Sequence, residues 1–342
     1  MKYINLLTAT LSTAFLAACG GGGGDGSTPP TITTPTPIAT SAAVTYTAAA
    51  TPGELLTYTV DPGMLTYSYT ITESQYGLTG QTGSGTLTAL GNNHYSLSGI
   101  PNSRIQILPN GLLVGAIRHD FGTGVKTVPI MGLSNPVISL AAVAGTYNYI
   151  SGACVANACG MAYGTLTINS AGSWSYCTAG NSAAAVPACI QTGSGNLTAL
   201  GGGKFAAYDA GNLVGTFFAM TSPVNGQNLA IVDLKDTRTT PASLGKGMVV
   251  ASTQVAVNTA LTNGSWFAAG SGGTFGTFNT AGGSLSYTSR NGAAITGTAS
   301  VTLESPWTGM ASNANGKALL AGYGVYVFAQ PNSYIELGLK YN

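Results

Sequence analysis

Gln81-Thr82-Gly83-Ser84-Gly85-Thr86-Leu87-Thr88-Ala89-Leu90-Gly91 recurs, with one difference, as Gln191-Thr192-Gly193-Ser194-Gly195-Asn196-Leu197-Thr198-Ala199-Leu200-Gly201, a shift of 191 − 81 = 110 residues. A match this close marks a duplicated unit, and a period of this length is domain-sized, far longer than one turn of a solenoid. Each copy is followed by an apolar strand with a shared start, Leu113-Val114-Gly115-Ala116-Ile117 and Leu213-Val214-Gly215-Thr216-Phe217-Phe218. This second shift is 213 − 113 = 100, so the connection between the two motifs is shorter in the second copy. A fainter third copy keeps the same order. Gly164-Thr165-Leu166-Thr167-Ile168 and Ala171-Gly172-Ser173-Trp174-Ser175-Tyr176 are answered by Gly276-Thr277-Phe278 and Gly282-Gly283-Ser284-Leu285-Ser286-Tyr287. The units are placed at 44–141, 142–256 and 257–342.

Within each unit the apolar residues recur with period two. Leu166 and Ile168 alternate with Thr165 and Thr167, Trp174 and Tyr176 with Ser173 and Ser175, and Ile335, Leu337 and Leu339 with Glu336, Gly338 and Lys340. That is the pattern of half-buried antiparallel strands. Gly91-Asn92-Asn93, Gly201-Gly202-Gly203 and Asn291-Gly292 supply turn residues between them. Short helices are expected only at 138–144 and 251–261. The fold class is therefore all-β: three tandem antiparallel units, each with room for about seven strands, as a small sandwich or a barrel. A short apolar lead-in before Gly145-Thr146-Tyr147 and Gly264-Ser265-Trp266 is faintly similar to the first strand of lipocalin-like barrels. No ligand-binding residue is carried over from that likeness.

The N-terminus has the three regions of a secretory signal: basic Met1-Lys2, an apolar run over 4–16 too short to span a bilayer, and Leu16-Ala17-Ala18-Cys19. The last tetrapeptide resembles the lipobox of bacterial lipoproteins. The resemblance implies a signal peptide at 1–18, cleavage before Cys19, a lipidated Cys19 with three acyl chains, and, because Gly20 follows it, delivery to the outer membrane. Two or more chains hold a protein stably on a bilayer. Residues 19–43, with Gly20 to Gly24 and Pro29, Pro30, Pro35 and Pro37 among Ser and Thr, read as a flexible tether. The expected partner at this end is the membrane itself.

Only 6% of the 342 residues are Asp, Glu, Lys or Arg, against roughly 25% in an ordinary domain. With 10 acids and 11 bases there is no basic face, so nucleic acid is not an expected partner. Besides Cys19 the chain has Cys154, Cys159, Cys177 and Cys189, an even number that favours disulfides in an exported protein. Three pairings are open; closing loops between neighbouring strands favours Cys154 with Cys159 and Cys177 with Cys189. Their spacing, with no His nearby, fits zinc poorly, so no metal is expected.

Groups able to do chemistry are sparse. The two histidines are His94 and His119, and Asp120 stands beside His119 as a candidate orienting group. The bland reading, a solvated strand end, is favoured. No Gly-x-Ser-x-Gly elbow occurs, Gly270-Ser271-Gly272-Gly273 lacks the context of a phosphate loop, and Asp233, Lys235, Asp236 and Arg238 read as a charged turn. No catalytic residue and no cofactor is assigned. Tyr67, Tyr69, Tyr76, Tyr147, Tyr149, Tyr163, Trp174, Tyr176, Trp266, Tyr287 and Trp307 are candidates to hold neutral ligands, with core packing the favoured role for those on the alternating apolar face. The expectation is a non-catalytic outer-membrane lipoprotein of the cell surface or envelope, binding a polysaccharide, a cell surface or a protein through repeated weak sites. The alternatives are a periplasm-facing accessory lipoprotein for secretion, pilus or envelope assembly and, less favoured, a transmembrane β-barrel.

Overall fold

The computed structural model describes residues 42–341 apart from 123, 156–157, 179–188, 190, 224–225, 241–242, 255–262, 282–283, 292, 301, 304–308, 314–315, 322–323 and 332–334. Cys19 and the lipobox lie outside the described residues. The first unit is a closed eight-stranded barrel of β1 (Val44–Ala50), β2 (Glu54–Asp61), β3 (Thr66–Ser74), β4 (Thr82–Gly91), β5 (His94–Leu97), β6 (Arg104–Ile107), β7 (Leu112–Asp120) and β8 (Val125–Leu133). The second is also closed, from β9 (Gly145–Val155), β10 (Ala158–Ile168), β11 (Ser173–Thr178), β12 (Gln191–Gly201), β13 (Lys204–Asp209), β14 (Asn212–Thr221), β15 (Asn228–Lys235) and β16 (Lys246–Thr253).

The third unit is a curled nine-stranded sheet of β17 (Gly264–Gly270), β18 (Thr274–Ala281), β19 (Ser284–Arg290), β20 (Ala293–Ser300), β21 (Thr302–Leu303), β22 (Met310–Asn313), β23 (Gly316–Ala321), β24 (Val325–Ala329) and β25 (Ile335–Lys340). In all three units the first strand pairs antiparallel with the last: β1 with β8, β9 with β16, and β17 with β25. The open choice between sandwich and barrel is thus decided for barrels in the first two units. The expected helix at 138–144 is a single 3-10 turn, Ala141–Val143, too short to close an α-helical ladder. At 251–261, Ala251 to Thr253 extend β16, and 255–261 lie outside the described residues.

The repeated Gly-Ser-Gly has a packing explanation. Tyr69 pairs with Gly83 and Tyr67 with Gly85, and in the second barrel Tyr176 pairs with Gly193 and Trp174 with Gly195. Each ring lies across the glycine of its neighbouring strand. A Cβ at Gly193 would stand 2.5 Å from Cε1 of Tyr176, one at Gly195 2.6 Å from Cζ2 of Trp174, and one at Gly83 would collide with the Tyr69 ring. Glycine opposite an aromatic ring lets the ring cover the backbone where the barrel wall must curve. The third unit keeps the arrangement, with Tyr287 opposite Gly297.

Two kinds of apolar surface are buried. Tyr46, Leu56, Tyr58, Leu113 and Ile117 fill the inside of the first barrel, and Trp266, Phe278, Tyr326 and Phe328 form the corresponding cluster of the third unit. A further cluster lies between units. It joins Ala49, Leu112 and Val114 of the first barrel, Ile150, Phe218 and Ile231 of the second, and Phe267, Val327, Ile335 and Leu337 of the third. Alternation along β25 marks a half-buried strand and leaves open where its apolar face looks. Its apolar set packs outward against the neighbouring barrels, while Gly338 and Glu336, opposite Tyr326 and Phe328, take the inward side. Strands such as β7, β14 and β15 are buried on both faces, which is why they read as continuous apolar runs.

Polar contacts tie the first two barrels together at this junction. Glu73 pairs with Lys235, and Thr216 Oγ1 donates to Glu73 Oε2 at 3.2 Å. Gly53, at φ +97°, lies so close to the second barrel that a Cβ would stand 2.8 Å from the Gly247 nitrogen and the Leu234 carbonyl oxygen. Asp233 is fully buried here, and neither carboxylate oxygen has a hydrogen-bond partner. Burial, and then the nearby Glu54, push its carboxyl well above the usual range.

Two tests follow from these contacts. Gly83→Val should displace Tyr69 and lower stability by about 1–3 kcal/mol in urea unfolding. Asp233 keeps its proton in the folded chain while the unfolded chain loses it above the ordinary value of 3.8, so stability contributed by this group falls as pH rises. Asp233→Asn should therefore melt higher than wild type at pH 7–8, with the difference disappearing near pH 4. Equal pH slopes for the two proteins would refute this.

Candidate ligand cavity in the second barrel

The two closed barrels have equivalent interior positions, because the duplicated glycines fix their registers. Tyr58 of β2 faces Tyr69, whereas the matching residue of β10, facing Tyr176, is Leu166. In the first barrel Tyr58 is fully buried and stacks on both Tyr67 and Tyr69, with ring centroids 5.9 and 5.6 Å apart. Leu166 fills less of that space, and Thr178 and Ala207 stand where the first barrel has the larger Ile71 and Leu97. The second barrel accordingly holds a cavity of about 300 Å³ lined by Leu166, Ile168, Trp174, Tyr176, Phe217 and Val232 among other residues. This lies at the lower end of the range for small-molecule sites.

The 3-10 turn after the first barrel closes one end of the second. Val143 is buried in the interior cluster, Tyr147 Oη donates to its carbonyl oxygen, and Asn228 Nδ2 donates to Ala142 O at 2.8 Å. Val155, Ala158 and Gln191 carry the lining towards the other end, where the disulfides stand. Cys154 is bonded to Cys159 across the β9–β10 hairpin and Cys177 to Cys189 across the β11–β12 connection, the pairing that loop closure favours.

The polar groups of the cavity are few and mostly paired with each other. Tyr149 Oη and Thr178 Oγ1 are 2.6 Å apart, and Gln191 Nε2 donates to Tyr176 Oη at 3.2 Å. Burial drives both tyrosine hydroxyls above their ordinary pKa, so they stay neutral. Trp174 Nε1 is buried and has no hydrogen-bond partner. No charged side chain lines the cavity among the described residues. Beside it, Arg238 makes two-point contact with Asp236 (Nε to Oδ1 2.9 Å, NH2 to Oδ2 2.7 Å) and reaches Asp209 Oδ2 at 2.7 Å. Against the raising effect of burial, the Arg238 hydrogen bond and the Leu244 N–H hold Asp236 below its ordinary range.

The residues singled out for chemistry, His94, His119 and Asp120, all belong to the first barrel. His119 Nε2 lies 2.9 Å from Tyr69 Oη, while Asp120 Oδ1 accepts from the Gly122 and Gly124 amides and so caps a turn. His94 is packed against Phe267 and Tyr341 of the third unit, and burial pushes its pKa down to about 4. Trp174 and Tyr176, read as core, wall the cavity, and Trp307 lies outside the described residues. Leu166, Thr178 and Gln191 were not singled out; a strand-by-strand comparison of the two repeats, setting Tyr58 against Leu166, carries the signal for the first of them.

No protein-family model matches the chain, and no curated protein matches it. The Cys177–Cys189 bond anchors the β11–β12 connection beside the cavity. Replacing both cysteines with Ser should lower stability by about 2–4 kcal/mol in denaturant unfolding, as expected for removing a short loop's cross-link.

Proposed function

We propose that the chain is a non-catalytic, lipid-anchored outer-membrane protein whose three-unit body presents a binding cavity for a small neutral molecule in its second barrel. The observation that carries the binding reading is the contrast between duplicates. Two barrels share strand order and aromatic-glycine pairing, yet one is packed with stacked tyrosines and the other is hollow. Protein interiors are close-packed, so a cavity of this size held open by a conserved register calls for an occupant.

Support for the non-catalytic part comes from where the titratable groups are engaged. His94 is held in an interface, Asp120 caps a turn, and Arg238 is balanced by two carboxylates. The lipid anchor rests on the lipobox-like Leu16-Ala17-Ala18-Cys19 alone. Exposed positions of β3 and β4 include Thr66, Ser68, Thr70, Thr72, Thr82, Ser84, Thr86 and Thr88, a largely hydroxyl-bearing outer wall, with Ala89 and Leu90 at the end of β4, that suits water or a polar surface. Lipid-spanning barrels carry an apolar band there. A surface or envelope location with a polysaccharide or protein partner on this wall is compatible with the same reading.

The test has two arms. Palmitate labelling should mark the wild-type chain and not Cys19→Ala, which should leave the membrane fraction. Saturating tetralin, a purely apolar bicyclic probe, should raise the melting temperature of the wild type by more than that of Leu166→Trp, whose larger side chain takes up part of the cavity. An equal rise in both proteins would place binding elsewhere and defeat the cavity reading.

A further inference from the structure

We propose that one end of the body rests on the bilayer that holds the anchor, with Met64 and Leu65 of the β2–β3 hairpin, Leu90 of the β4–β5 hairpin and Leu200 of the β12–β13 hairpin seated in its interfacial layer. This rests on the lipid-anchor part of the reading above and adds how the body stands on its membrane.

The first two barrels stand side by side with like ends together. Gly53, in the β1–β2 hairpin, meets Gly247 and Leu234 at the β15–β16 end of the second barrel. At the opposite end the segment after β8 runs along the second barrel, where Val137 N donates to Ala219 O and Pro136 lies against Gly203 of the β12–β13 turn. Strand direction puts the start of β1 and the β2–β3, β4–β5 and β12–β13 hairpins all at this second end.

Apolar exposure is concentrated there. Among the described residues eight large apolar side chains are exposed, and six of them, Val44, Met64, Leu65, Leu90, Ile138 and Leu200, belong to this end, while Val125 and Leu213 lie at the other. Charge is distributed the opposite way. Residues 62–65, 88–93, 134–145 and 198–203 contain no Asp, Glu, Lys or Arg, whereas Asp120, Lys126, Lys235, Asp236, Arg238 and Lys246 stand at the other end. An apolar rim without charge suits shallow burial at the level of the lipid headgroups.

These leucines are not dictated by the local backbone. Leu90 and Leu200 occupy the same place in the duplicated motif, and in each copy the ladder shifts register there: Ala89 pairs with Tyr95 and Gly91 with His94, Ala199 with Phe205 and Gly201 with Lys204. A bulge re-aims its side chain, and both copies turn a leucine into solvent. Leu65 has φ +51°, a left-handed backbone that Asn92 and Asn93 adopt in the neighbouring turn and that strains a leucine. Asp61 Oδ1 accepts from the Met64 N–H at 2.8 Å and fixes that tip.

The tether joins the body at the same end. Val44 opens β1, and 43 − 19 = 24 residues separate it from Cys19. As a coil they span on the order of 25 Å, so an acylated Cys19 keeps the rim beside the bilayer at high effective concentration. A contact too weak to hold an untethered protein is then sufficient.

The experiment places the full acylated chain on vesicles of phosphatidylethanolamine and phosphatidylglycerol doped with a phosphatidylcholine that carries a diazirine near its glycerol. Chain that floats with the vesicles is irradiated and its labelled peptides are mapped. Peptides holding Met64 and Leu65, Leu90 and Leu200 should carry at least about tenfold more lipid label than those holding Val125 and Leu213, the preference that burying one leucine supplies. The double variant Leu90→Asp/Leu200→Asp should float equally well through its acyl chains and lose the label at both hairpins; its fold is checked by melting, and the comparison of the two ends on the wild type needs no variant. Equal labelling of both ends, a floating body without label, or a variant that keeps the label overturns the docked end and leaves the anchor standing. A wild-type chain that neither floats nor incorporates palmitate overturns the two together.

Discussion

The outward faces of three β units meet in a single apolar core, and the arrangement of the body depends on it. A barrel that closes on itself buries only its inside. Here Leu112 and Val114, Phe218 and Ile231, and Ile335 and Leu337 are buried on the outside as well, against one another. Strands such as β7, β14 and β15 are then apolar on both faces over most of their length, a physical reason for a chain in which only 6% of residues are charged. The few charges that enter the junction are paired or neutral: Glu73 meets Lys235, and Asp233 is held in its protonated form by burial. Close approach at Gly53, where a side chain would strike the second barrel's backbone, adds a steric limit to the apolar one.

Inside the barrels a different constraint rules. Aromatic rings cross the wall over glycines, which fixes the register of β3 on β4 and of β11 on β12 whatever fills the middle. That separation of wall from filling is what let duplicated barrels diverge. Leu166 for Tyr58, Thr178 for Ile71 and Ala207 for Leu97 change the filling without touching the pairing, and one copy is packed while the other holds a cavity. Both copies contribute to the junction and the second also holds the cavity, with the 3-10 turn Ala141–Val143 serving as connector for one and end-plug for the other.

Much of this was legible in the residues. The Gly-Ser-Gly duplication, the period-two strands and the even set of cysteines led to three antiparallel units and to the observed disulfide pairing. Trp174 and Tyr176 read as core, and they do belong to the second barrel's interior cluster, where they also wall the cavity. The cavity was hidden because it consists of what is missing: Leu166 is an ordinary apolar residue in an ordinary strand until it is set opposite Tyr176 and beside the filled barrel's Tyr58. His119 and Asp120 looked like a pair in the sequence, yet adjacent strand residues point to opposite sides, and Asp120 turned to the loop amides.

What the sequence by itself determined was local and periodic: where strands run, where they turn, which side chains share a face, and that the same unit is used again. Those properties follow from neighbours along the chain, through alternation and the turn chemistry of Gly and Asn. Which apolar face looks inward and which meets another barrel, as in β25, was decided only by the tertiary structure, because both faces obey the same alternation. The hollow in the second barrel was decided there too. Its volume depends on side chains brought together across a closed wall from six or more strands, and no stretch of sequence contains that sum.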